Sequence, residues 1–171
     1  MNRFTTVALL LPFLAGCGAQ TDRSPEIAAV RDFIHENWDS TIQYSPRDTT
    51  TLIGLPHPYT VPTAGAMFRE MYYWDTFFTN EGLVRDGHAE LAKNNTDNLL
   101  YMVRRFGKVY NGSRTYYEAR SQQPYLSMMV DRVYRTTGDR DWLAGAYETL
   151  EQEYDFWMRA VSYTHLRAHE T

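Results

Sequence analysis

Residues 68–83, FREMYYWDTFFTNEGL, crowd Tyr72, Tyr73, Trp74, Phe77 and Phe78 among the fixed charges of Arg69, Glu70, Asp75 and Glu81. Aromatic side chains dominate cores, so a run this dense first reads as an internal helix. Burial alone does not account for the charges, because a guanidinium and carboxylates among buried rings destabilise a core unless they are paired or exposed. The stretch therefore reads as a helix that buries one side and meets something polar with the other.

The rest of the chain supports a folded, export-type protein. Its 171 residues, 43% apolar and 15% aromatic, are enough for a core. A net charge of −4 and the absence of a Lys/Arg-rich face argue against nucleic acid as a partner. The single cysteine, Cys17, cannot form an internal disulfide. It ends a stretch with Arg3 at its start, an apolar run from Val7 to Leu14 and small residues after it, the layout of a secretory signal too short to span a bilayer. LAGC at 14–17 resembles a bacterial lipobox. That resemblance implies a signal peptide over 1–16, lipidation of Cys17, a tether over 17–23 and a membrane-anchored, exported protein, with Gly18 after the cysteine pointing to the outer membrane. An ordinary signal peptide with a chance cysteine is the alternative.

Beyond the tether the pattern is all-α, with no alternating run long enough for a confident strand. Ser24 and Pro25 open a helix with Ile27, Val30, Phe33, Ile34 and Trp38 along one face. Residues 39–67, with prolines at 46, 56, 58 and 62, form a long loop. Helices are expected from about Asp75 to Arg85, Ala89 to Phe106 with Gly107 as its stop, Pro124 to Arg135, and from Asp141 onward with Leu143, Tyr147, Leu150, Tyr154 and Trp157 inward. Repeated helix-loop-helix units must bury their faces on neighbours, which suggests a helical array or toroid.

Three polar clusters fall at loops: FREMYYWD, YNGSRTYY at 110–117 and ARSQQP at 119–124. Together they supply rings to stack on the C–H face of a sugar, and carboxylate, amide and guanidinium groups to satisfy its hydroxyls. Taken singly, each has a plainer reading: Asp75 as a helix N-cap, Arg114 and Arg120 as solvated or structural ions, NG at 111–112 as a turn.

Residues 54–158 resemble trehalases of glycoside hydrolase family 37. The motifs that carry the likeness are FREMYYWDTFFTNEGL, NNTDNLLYMVRRFG at 94–107, NGSRTYYEARSQQP at 111–124 and EYDFWM at 153–158, in the family's order. The resemblance implies the first helices of an (α/α)6 toroid spanning residues 24–160, inverting hydrolysis of α,α-trehalose or a related glucoside, and no cofactor or metal. It implies sugar-pocket roles for Trp74, Asp75, Asn111, Arg120, Ser121 and Gln122, inside an aromatic wall of Phe68, Tyr72 and Tyr73.

The departures are specific. Where the family signature reads PGGRF, this chain reads PTAGAMF at 62–68, with Met67 at the position of a sugar-contacting Arg. A thioether carries no charge and donates no hydrogen bond, which opens the substrate to another glucoside. Ser113 replaces a usual Asn and Gln123 a usual Pro. The family's catalytic acid and base lie further along than residue 171, so no catalytic residue is assigned and the stretch as written is expected to be inactive. VSYTHLRAHET at 161–171 follows no apolar period and reads as a non-native tail, with a genuine polar terminus as the alternative. A competing reading of the whole is a lipid-anchored helical module that binds a sugar or serves as a scaffold without catalysis.

Overall fold

In this computed structural model, residues 24–65 and 67–168 are described, with side chains through 160. Cys17 and the lipobox lie outside the described residues.

Five helices carry the chain: α1 (Pro25–Asn37), α2 (Tyr73–Arg85), α3 (Ala89–Phe106), α4 (Leu126–Thr137) and α5 (Arg140–Ala168). The only strands among the described residues are β1 (Ile42–Gln43) and β2 (Tyr59–Thr60), an antiparallel pair inside the long loop and too short to leave a periodic signature. The helix ends obey local chemistry. Ser24 caps α1 by accepting from the Ile27 amide, with Pro25 at the first helical position. Gly87, Gly107 and Gly138 follow α2, α3 and α4 with positive φ, the left-handed turn that ends a helix.

α2 and α3 form one hairpin and α4 and α5 the next. α3 packs against α2, α4 and α5, and α2 also meets α4. The core joins Met71 and Tyr73, Leu99, Leu100, Met102 and Val103 of α3, Leu126, Met129 and Val130 of α4, and Ala146 of α5 to Ile53, Leu55, Tyr59 and Val61 of the loop. Two buried amides fasten that proline-rich loop to α3. Asn95 accepts from the Thr60 amide and donates to the Thr60 hydroxyl, while Asn98 accepts from the His57 amide and donates to the His57 carbonyl. A buried amide is tolerated only when so satisfied, and here it replaces the backbone bonds a loop lacks.

Two faces differ from the sequence reading. No residue of α1 is buried, and Val30, Phe33 and Ile34 stand exposed. Only its C-terminal end is tied down, by Trp38 donating from Nε1 to Asp86. Among the described side chains of α5 the buried ones are Ala146, Thr149 and Glu153, whereas Tyr147 and Tyr154 face outward. The same side of the helix packs Trp142, Leu143 and Leu150 against the core and places Glu153 on its buried partner Tyr73 of α2. α5 continues to Ala168, through residues 161–168.

Candidate functional site

α2 starts without a local cap. Tyr72 precedes it with no side-chain bond to the first turn, and Asp75 is the third helical residue rather than the N-cap. The amides that a helix start leaves unpaired are taken by the loop over 109–122. The Tyr73 amide donates to the Asn111 carbonyl at 3.2 Å, and the Trp74 amide donates to Gln122 Oε1 at 3.0 Å. One step earlier, Ser113 grips Met71 twice: its amide donates to the Met71 carbonyl and its hydroxyl accepts from the Met71 amide.

This pairing makes Tyr72 and Gly112 antiparallel neighbours. NG at 111–112 thus docks on the helix start as the chain bends, with the Gly112 carbonyl accepting from the Arg114 amide. A Cβ on Gly112 would lie 3.1 Å from the Tyr117 ring and 3.2 Å from the Tyr72 ring, so a larger residue would have to push both rings aside by a few tenths of an ångström. Beneath, buried Glu70 stands 3.4 Å from Arg114 Nε and accepts from the Tyr116 hydroxyl. Burial pushes the Glu70 carboxyl upward, but backbone hydrogen bonding and the charge of Arg114 outweigh it and hold the group below its usual value. Arg69 turns away and donates to Gln43. Of the charges in the opening stretch, Glu70 thus fastens the junction, Arg69 ties to β1, and Glu81 pairs with Arg132 on the flank.

Asp75 is the exception. It lines an open groove of about 290 Å3 with Pro62, Thr63, Phe68, Tyr72, Trp74, Asn111 and Gln122, and among the described residues nothing pairs with its carboxylate. Trp74 is 40% exposed and lies edge-on to Phe78, while Phe68 is edge-on to Tyr72. Phe68 holds φ at 55°, a strained conformation for a bulky side chain of the kind that collects at functional sites. The groove offers flat rings, one unpaired carboxylate and two amide side chains. That is a set able to hold a polar, ring-shaped ligand against an apolar face.

Of the residues singled out from sequence, Phe68, Tyr72, Trp74, Asp75, Asn111 and Gln122 come together on this groove, and Tyr73, Arg120 and Ser121 do not line it. Tyr73 is fully buried, since the residue after Tyr72 turns into the core once the helix begins. The Ser121 hydroxyl donates to the Val109 carbonyl, and Arg120 is exposed, its carbonyl accepting from the Asn111 amide. Pro62 and Thr63 join the rim without being singled out from sequence. Their sequence signal was the PTAGAMF stretch at the family signature, and the course of the loop that carries it is set by Asn95 and Asn98 far along the chain. Met67 is exposed and does not line the groove. No cluster of three or more metal-ligating side chains occurs among the described residues, and no described helix is long and apolar enough to cross a membrane.

Comparison with known proteins gives a consistent result. A family model described as Trehalase matches residues 19–171. A periplasmic trehalase of Xanthomonas campestris pv. campestris is 38% identical over 142 residues, covering 82% of this chain and 24% of that protein. A periplasmic trehalase of Pseudomonas aeruginosa is 40% identical over 109 residues, covering 64% of this chain and 19% of that protein. Among solved structures, a neutral trehalase from Saccharomyces cerevisiae matches with a TM-score of 0.54 at 30% identity, over 58% of this chain and 19% of that one. The chain spans about a quarter of the length of the first of these relatives.

Proposed function

Since this chain belongs to the trehalase family, we propose that its groove holds one glucosyl ring of α,α-trehalose or a related glucoside for inverting hydrolysis. The observation that carries this reading is the meeting of Trp74, Tyr72 and Phe68 with Asp75, Asn111 and Gln122 on one open surface. The rings stack on the sugar's C–H face. Asp75 accepts from two neighbouring hydroxyls, and the amides of Asn111 and Gln122 supply donors and acceptors beside it. Arg120 and Ser121, next to Gln122, are carried as further contacts by the family resemblance.

Inversion requires an acid to protonate the leaving oxygen and a base to activate water, their carboxyls about 6.5 to 9.5 Å apart. Among the described residues Asp75 is the only carboxylate lining the groove, so this wall orients the sugar and the acid and base come from elsewhere. The same observation favours the second reading, a binding module without catalysis. We propose further that residues 1–16 are an export signal and that Cys17 is lipidated and anchors the protein at a bacterial membrane facing the periplasm; the periplasmic naming of its relatives supports the export. No cofactor enters this chemistry.

Incubating the intact protein with trehalose and following the anomeric protons by NMR tests the proposal. Inverting hydrolysis releases one α- and one β-glucose at the outset. Binding without glucose release supports the module instead, and neither binding nor release removes the sugar reading.

A further inference from the structure

We propose that Glu153, which does not line the groove, is a positioning residue of the sugar site and acts through the Tyr73 hydroxyl. The inference rests on the sugar-binding reading above. Tyr73 is the first residue of α2, between groove-lining Tyr72 and Trp74, and its side chain is wholly buried. Its hydroxyl donates to Glu153 Oε1 at 2.5 Å and accepts from the Leu126 amide at 3.0 Å.

Leu126 opens α4, so its amide has no partner within its own helix. A phenol has one proton. Glu153, by taking it, leaves a lone pair facing the Leu126 amide. The segment from Gln122 to Leu126 is thus pinned at both ends to consecutive residues of α2, Gln122 to the Trp74 amide and Leu126 to the Tyr73 hydroxyl. Without the acceptor at 153 the phenol's buried proton has no partner, and a hydroxyl that swings to find another acceptor loosens its hold on the Leu126 N–H. Slack there passes to Gln122 and Trp74, both of which line the groove.

Glu153 is 5% exposed. Burial pushes its carboxyl up to about 7, partly offset by the Tyr73 hydrogen bond. Among the described residues, Glu153 bonds to Tyr73 from α2 and shares a surface pocket with Tyr147, Glu151 and Tyr154 of its own helix, while Arg104 of α3 donates to Thr149 one turn away. Ser127 of α4 and Pro124 of the loop before it, which line the adjoining surface with Glu153, carry no charge.

The test compares Glu153→Gln, which keeps an acceptor oxygen, Glu153→Leu, which removes it, and Tyr73→Phe, which removes the phenol, in the intact protein. Trehalose KM and kcat are read alongside the Trp74 indole NMR resonance without sugar. Glu153→Leu should raise KM about two- to tenfold, the effect of one neutral hydrogen bond, and shift the Trp74 resonance. Glu153→Gln should restore both, and Glu153→Leu should add nothing in a Tyr73→Phe background. An unmoved Trp74 resonance, or additive losses in the double variant, overturns the proposal. Should Glu153→Leu fail to fold, wild type and Glu153→Gln decide it. The wild-type Trp74 resonance should titrate with a midpoint near 7 and the Gln variant should be flat, while identical profiles overturn the link. A Trp74 response with no sugar binding in any form sustains the link and removes the sugar reading instead.

Discussion

The Trp74 amide donates to Gln122 Oε1 at 3.0 Å, so the ring proposed to stack on the sugar and the amide proposed to face its hydroxyls are fixed to one another across 48 residues of chain. Gln122→Ala removes both the ligand contact and the pin. It should weaken trehalose by about ten- to a hundredfold, the loss of two hydrogen bonds, whereas Gln122→Glu keeps the acceptor for Trp74 and should lose less. Calorimetric titration of both variants checks the order.

Asp75 has no partner among the described residues, so the fold does not depend on its charge beyond a favourable place in the first turn of α2. Asp75→Ala should abolish turnover while lowering stability by no more than about 1 kcal/mol. Kinetics and denaturant melts on the same preparation separate the two effects.

Met67 is exposed at the position where the family signature has a sugar-contacting Arg. A hydrogen bond from a charged donor contributes about 1.5 to 3 kcal/mol, so Met67→Arg should improve trehalose kcat/KM by about one to two orders of magnitude if the new side chain reaches the groove. A panel of glucosides measured in parallel shows whether the gain is confined to trehalose.

Glu153 binds its proton more tightly folded than unfolded, with its carboxyl raised from 4.5 to about 7 by burial. Between those values the unfolded chain releases the proton and the folded one keeps it, so this group makes stability fall as pH rises through that window and level off above it. The loss amounts to about 3 kcal/mol. Glu153→Gln should remove this slope, and urea melts at pH values below, within and above the window will show it.

Local chemistry was legible in the sequence and distant pairing was not. Ser24 and Pro25 announced α1, and Gly107 announced the end of α3, because those signals act within a few residues. The start of α2 was expected near Asp75 and falls at Tyr73, since oxygens of Asn111 and Gln122 replace the N-cap that a reader looks for. Glu153 went unnoticed as a buried residue because its partner lies 80 positions earlier, and the outward tyrosines of α5 carried the apolar period instead. The groove followed the motifs at Tyr72, just before α2, and at Trp74 and Asp75 in its first turn. It departed from them at Tyr73, Arg120 and Ser121, where helix geometry or backbone bonding turns the residue elsewhere.

The most direct test of the account is a crystal structure of the intact protein with trehalose bound. The account predicts a glucosyl ring lying against Trp74, with hydroxyls within hydrogen-bond distance of the Asp75 carboxylate and the Asn111 or Gln122 amide. A glucosyl ring bound elsewhere, with Asp75 still unpaired and the groove empty, would contradict it.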